Sequence, residues 1–302
     1  MTMRTFARLA TVVLPAWLLA LAASAGAGDA YDPRRVVWTR LELEAHKLFL
    51  SARSEVRLRS VPAVEAAGEW IESPHGAGIL PHGPRVFEVR IDTAMMGRES
   101  TDSVWFDPRH VDAFQRIKVR LGKKGYRKVI RYSDEGTFVR RTAPTDHREA
   151  RRPFADWSKL ETFFYPHPEG DGCRHVTEPS VLFYLLAADP DLAAAGREKR
   201  RVCVYSGDTV IPLAIAVEGT EKLAVDYVDP AVEAVPGGRE VDVWRVALRP
   251  FSADGDFELL GLDGDVEVLI EQVSRLPVEV RGRISGLGRV AVKLKAVERG
   301  QL

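Results

Sequence analysis

The chain has 302 residues, 43 Lys and Arg against 43 Asp and Glu, and 45% hydrophobic residues. That composition excludes a disordered, collagen-like or multi-span membrane chain. Two cysteines are too few for a disulfide-dense scaffold or a cysteine zinc cluster, and a balanced total charge gives no footprint for nucleic acid.

Arg4 and Arg8 precede an apolar run over residues 9–23, followed by Ala23-Ser24-Ala25 and Ala25-Gly26-Ala27. A basic start, an apolar stretch and a small-residue exit predict a cleavable export signal over 1–27, cut near Ala25 or Ala27. The alternative is an uncleaved anchor. The run is shorter than the roughly 20 residues that span a bilayer, and no second one follows, so no transmembrane segment is expected after cleavage. The expected product is one β-rich domain over 28–302, periplasmic or secreted. In an oxidising compartment Cys173 and Cys203 are expected to pair. A redox pair or a thiol nucleophile is the alternative.

Residues 28–35 read as a tail. From Val36 the pattern alternates, with Val37, Thr39, Leu41 and Leu43 against Trp38, Arg40, Glu42 and Glu44. A second extended run covers 49–58, a Gly/Pro-dense loop covers 73–84, and alternation resumes over 86–93. A short strand over 101–106 is closed by Asp107-Pro108. Over 115–121, Ile117, Val119 and Leu121 share one face, and Arg116, Lys118 and Arg120 the other. Residues 122–125 form a hairpin turn, 126–132 return, 133–136 turn, and 137–141 follow. This is a meander with one polar and one apolar face.

Residues 142–178 are rich in Pro, His and charge, and are expected to be irregular around Trp157 and Phe163-Phe164-Tyr165. Glu178-Pro179-Ser180 then opens the one convincing helix, with Pro suited to the first turn. Val181, Leu182, Phe183, Leu185 and Leu186 make it apolar all round, so it must be buried as a plug. Asp189-Pro190 ends it, or a brief continuation follows over 192–195. Seven strands are expected over 202–205, 209–217, 222–228, 241–248, 266–273, 276–284 and 289–297. The fold class is mainly β: a curved antiparallel sheet or half-barrel with one apolar plug helix.

Among chemistry-bearing residues, His167, Glu169, Asp171, Cys173, His175 and Glu178 are the densest cluster. Their spacing matches no closed zinc pattern, and a polar surface loop explains them better than a metal site. His75 and His82 read as solvated loop residues. Asp254, Asp256, Asp263 and Asp265 lack the register of a calcium loop and read as turns. No nucleophile elbow, zincin or phosphate-loop motif occurs. No catalytic residue, metal or cofactor is expected.

The neutral total divides along the chain. Residues 116–152 carry 13 Lys and Arg against four acids, and 207–271 carry 15 acids against four bases. A basic sheet face with Arg116, Lys118, Arg120, Arg127 and Lys128 would meet anionic lipid head groups or an acidic envelope partner. The competing reading is a solvated face, with some charges paired across the sheet to the acidic strands.

The C-terminal third carries a resemblance. Glu178-Pro179-Ser180 with its apolar run is followed by strands, then Phe257-Glu258-Leu259-Leu260-Gly261-Leu262-Asp263-Gly264. Arg275-Leu276-Pro277-Val278 and Gly286-Leu287-Gly288-Arg289-Val290 come next. Over about 178–297 this order resembles an exported bacterial family of unknown function, itself similar to the periplasmic lipoprotein carriers of the LolA and LolB type. The resemblance implies a curved antiparallel sheet wrapped around a helical plug, and it offers no established catalytic residues to carry over. The function expected is non-enzymatic: binding an apolar or amphipathic, lipid-like ligand, or envelope maintenance. Docking of a partner on the basic face is the alternative, and a metal-dependent hydrolase using His167 and His175 a weaker one.

Overall fold

Strand-like alternation pervades the chain, and each alternating run finds a neighbour in one sheet. The structure is a computed structural model that describes residues 31–302 apart from 48–49, 96, 123, 168–171, 174, 194–199, 233–237 and 253–256. The expected export signal lies outside the described residues. Among those residues, no helix is long and apolar enough to cross a membrane.

The first wing runs β1 (Trp38–Lys47), β2 (Leu50–Pro62), β3 (Arg85–Met95), β4 (Arg98–Phe106), β5 (Ala113–Arg120), β6 (Tyr126–Tyr132), β7 (Gly136–Ala143) and β8 (Lys159–Pro166). A two-residue strand, β9 (Val176–Thr177), follows. The second wing runs β10 (Arg200–Ser206), β11 (Thr209–Val225), β12 (Arg239–Pro250), β13 (Asp263–Glu271), β14 (Pro277–Ile284) and β15 (Gly288–Arg299). Each wing is an antiparallel meander, and β1 pairs with β15 to join them at the centre. The order is therefore β8 to β1, then β15 down to β9, with only β9 parallel to its neighbour.

This order forces curvature. Fifteen strands about 4.8 Å apart would span roughly 65 Å if flat. The two edges, β8 and β9, are joined by the nine residues 167–175, which reach at most about 35 Å. The sheet curls until its edges approach, yet remains unclosed. Side chains bridge the two wings: the Tyr132 and Tyr205 rings lie 5.8 Å apart, and Lys128 Nζ donates to Asp208 Oδ1 at 3.2 Å. Asp208 is placed by a two-residue hairpin turn in which Gly207 and Asp208 both have positive φ (59° and 65°), the conformation that matches strand twist in such hairpins.

The concave face holds the plug. Residues 179–181 form a 3-10 turn that continues into α2 (Leu182–Ala188), after the short outer helix α1 (Ala63–Ala67). Val181, Leu182, Phe183, Leu185 and Leu186 are fully buried in the main core. Each large apolar side chain so buried contributes about 1.5–3 kcal/mol. A buried helix must satisfy its ends. At the C-terminal end, the Ala188 carbonyl accepts from Asp32 N at 3.0 Å, and the Asp189 carbonyl accepts from Arg275 Nη1 at 2.5 Å. Cys173 and Cys203 are disulfide-bonded, which ties the segment before the plug to β10.

Five expectations are corrected. Residues 31–35 are no tail: Tyr31 N donates to the Arg109 carbonyl, and Pro33–Arg35 forms a 3-10 turn against the plug. Trp38 is fully buried with Leu41 and Leu43 because the register slips between Trp38 and Arg40, and such a slip inverts side-chain parity. Residues 209–217 and 222–228 are not two strands; a bulge between Val217 and Gly219 lets β11 run unbroken to Val225. Within 142–178, β8 is regular, because Phe163, Phe164 and Tyr165 pair with β7. Residues 190–193 are turn rather than a helical continuation, and the rest of the continuation expected over 192–195 lies outside the described residues.

Candidate functional site

The inner face of the first wing changes character along its strands. Toward the plug it carries Phe87, Val89, Val104 and Phe106, all in the main core. Further out on the same face come Thr93, Ser100, Asp102, Arg116, Lys118 and Arg120, which line a cleft of about 470 Å³. Cross-strand pairing fixes this. Arg116 pairs with Val104, Lys118 with Asp102, and Arg120 with Ser100. Directly paired residues of an antiparallel sheet share a face.

The basic residues of β5 therefore point into the concavity. Their apolar alternates face outward, where Ile117 packs against a second cluster of Val61, Ala66, Val86, Trp105 and Phe114. Trp70, from the segment before the Gly/Pro loop, lies over Phe114 with ring centres 5.3 Å apart. Both faces of this wing are covered, so the apolar face of β5 is not the face that meets the plug.

Arg116 anchors the floor of the cleft. Its Nε donates to Asp102 Oδ1 at 2.7 Å, and its Nη2 also donates to Asp102. Its Nη1 donates to Glu178 Oε2 at 2.7 Å, and Tyr132 Oη donates to Glu178 Oε1. Glu178 is wholly buried and stands at the entrance of the plug, so this network pins the plug to the sheet. Two carboxylates share one guanidinium, which leaves one negative charge in excess. Burial pushes the Glu178 carboxyl up to about 7, opposed by Arg116 and reinforced by Asp102. Burial also raises the Tyr132 phenol well above its usual value, and the Glu178 charge adds to this. Burial opposes the charge of Arg116, but Asp102 and Glu178 override it and hold its pKa well above normal.

The remaining cleft wall is mixed. Ile91, Leu259 and Val292 supply buried apolar surface. Ser180, the second residue of the plug's opening turn, also lines the cleft, and its buried hydroxyl has no hydrogen-bond partner among the described residues. Arg98, Lys118 and Arg120 have no ion-pair partner among the described residues.

The other residues singled out in the sequence are dispersed. Lys128 lies on the inner face, paired opposite Lys118 and bonded to Asp208. Arg127 faces outward, its guanidinium 5.6 Å from the Phe154 ring centre. His167 Nε2 lies 2.9 Å from the Ser133 carbonyl, whereas His175 Nδ1 lies 3.0 Å from Asp112 Oδ2. These two histidines thus serve different partners. Glu169 and Asp171 lie outside the described residues, as do Asp254 and Asp256. Among the described residues, no three His, Cys, Asp or Glu gather as metal ligands. His75 stacks on Phe164 at 4.2 Å, and His82 lies 5.3 Å from the His110 ring.

Sequence reading missed Asp102 and Tyr132. It had Glu178 as the opening residue of the plug helix and as a member of the metal-type cluster, not as the acceptor for Arg116 and Tyr132. The signal available was Glu178 itself, since a carboxylate adjoining an all-apolar helix must find a buried partner. The fold and cleft together define a class: an open, curved antiparallel sheet around an apolar plug, with a partly polar hollow beside it. Comparison with family models, curated proteins and solved structures returns no match.

Proposed function

We propose that the protein is an exported, non-enzymatic binding protein that holds the apolar part of an amphipathic ligand in the cleft beside the plug. The observation that carries this reading is that the plug fills only part of the concavity. The space left, about 470 Å³, is of the size that small-molecule sites occupy, and Ile91, Leu259 and Val292 give it apolar wall. The disulfide is compatible with an oxidising compartment, and the signal-like N-terminus supports a periplasmic or secreted location. The resemblance to lipoprotein-carrier-like proteins points the same way, as fold-level analogy.

The test is native mass spectrometry of the protein purified without detergent from cells that export it. The expected result is a fraction carrying a non-covalent adduct of lipid-like mass, reduced in an Ile91→Glu variant. A protein that stays at its bare mass, and takes up no single-chain amphiphile added below its micelle concentration, would overturn the reading.

A further inference from the structure

The cleft wall carries cations that no ion pair holds among the described residues. Arg116, Lys118 and Arg120 are successive inner residues of β5, about 7 Å apart along the strand. Arg116 is matched by Asp102 and Glu178. Lys118 sits opposite Asp102 on one side, but that carboxylate is held by both donors of the Arg116 fork. On its other side Lys118 faces Lys128 directly. Like charges paired across strands are destabilising, and Lys128 has taken Asp208 as its partner. Arg120 faces Ser100 and Tyr126, neither of which neutralises it. Arg98, exposed at the rim, adds a third cation with no ion-pair partner among the described residues. The opposing carboxylates on the lining, Glu99 and Glu258, are exposed, and neither bonds to these cations.

Cations turned inward on a concave wall cost desolvation that an outward position would avoid. They are also where a low-dielectric wall concentrates attraction for an anion. Ser180 adds an unsatisfied hydroxyl on the same lining, and a hydroxyl donates to an anionic oxygen. The apolar wall of Ile91, Leu259 and Val292 belongs to the same cleft.

We propose that the ligand is a single-chain amphiphile with an anionic head group, a carboxylate or a phosphate monoester, whose head is held by Lys118 and Arg120 while its chain lies against Ile91, Leu259 and Val292. This rests on the cleft reading above and narrows it to a ligand class.

The experiment is isothermal titration of the purified protein with four probes below their micelle concentrations: laurate, dodecyl phosphate, monolauroylglycerol and inorganic phosphate. Charge-assisted contacts predict that one or both anionic amphiphiles bind roughly tenfold or more tighter than the neutral glyceride. Which of laurate and dodecyl phosphate binds tighter assigns the head group. The preference should weaken on raising salt from 50 to 500 mM, and should fall to near unity in Lys118→Gln/Arg120→Gln. Salt dependence of the unaltered protein reads the same contact should that variant fail to fold. Equal affinity for the glyceride and the anions overturns the head-group assignment and leaves the cleft reading standing. Inorganic phosphate binding as tightly as dodecyl phosphate overturns the amphiphile class. Absence of binding by all four overturns both proposals.

Discussion

Glu178→Gln isolates the buried network beneath the plug. The carboxyl is wholly buried and pushed up from 4.5 to about 7, chiefly by burial. The fold therefore favours its protonated form. Its stabilising contribution is full below about pH 4.5 and is lost as pH rises through 7, because the unfolded chain then holds fewer protons than the folded one. At about 1.4 kcal/mol per pH unit, ionising Glu178 in the folded chain costs about 3 kcal/mol more than in the unfolded chain. Glutamine reproduces the protonated carboxyl if its carbonyl accepts from Arg116 and its amide donates to Tyr132 Oη. Urea unfolding of both proteins, followed by tryptophan fluorescence, should give similar stabilities at pH 5. At pH 8 the variant should be about 2–3 kcal/mol the more stable, with unchanged m-value. The difference between the two proteins cancels other titrating groups. A gap between them that stays constant from pH 5 to pH 8, or that favours the wild type at pH 8, would refute the reasoning.

Other outcomes follow from the same packing. Leu185→Ala, in the fully buried plug, should cost about 2–5 kcal/mol through lost transfer energy and a residual cavity, read as a lower urea midpoint; a cost under 0.5 kcal/mol would mean the plug is not core. Cys173→Ser/Cys203→Ser opens a loop of sequence separation 30 and should cost about 3–4 kcal/mol, measured by thermal melting against the oxidised protein. Gly136→Ala should destabilise by more than 1 kcal/mol, since an added Cβ would lie 2.4 Å from the Tyr165 carbonyl oxygen across the β7–β8 pair, and equal melting temperatures would count against that pairing.

The plug was legible because an apolar-all-round run opened by Glu-Pro-Ser has no surface solution. The break between the strands expected over 202–205 and 209–217 was legible from the alternation on either side, and the structure narrows it to the two-residue turn at Gly207 and Asp208. The inward direction of Arg116, Lys118 and Arg120 was not. Alternation separates two faces, but it cannot say which is concave when a second cluster around Trp70 and Phe114 covers the other. Bulges hid the burial of Trp38 and the continuity of β11, since one extra residue inverts parity without a composition signal. The Glu178 network joins residues 46 and 62 positions apart, and no local pattern encodes such a meeting.

The pairing of β1 with β15 bears on when the fold can form. Residue partners in this pair, such as Leu41 and Val297, come from the first and the last of the fifteen strands. Each wing can assemble from local hairpins, but the seam in the middle of the sheet requires contacts across nearly the whole domain, the kind that forms slowly. A ribosome delivers β15 after every other strand, so the two wings stay unjoined until synthesis of the domain is complete.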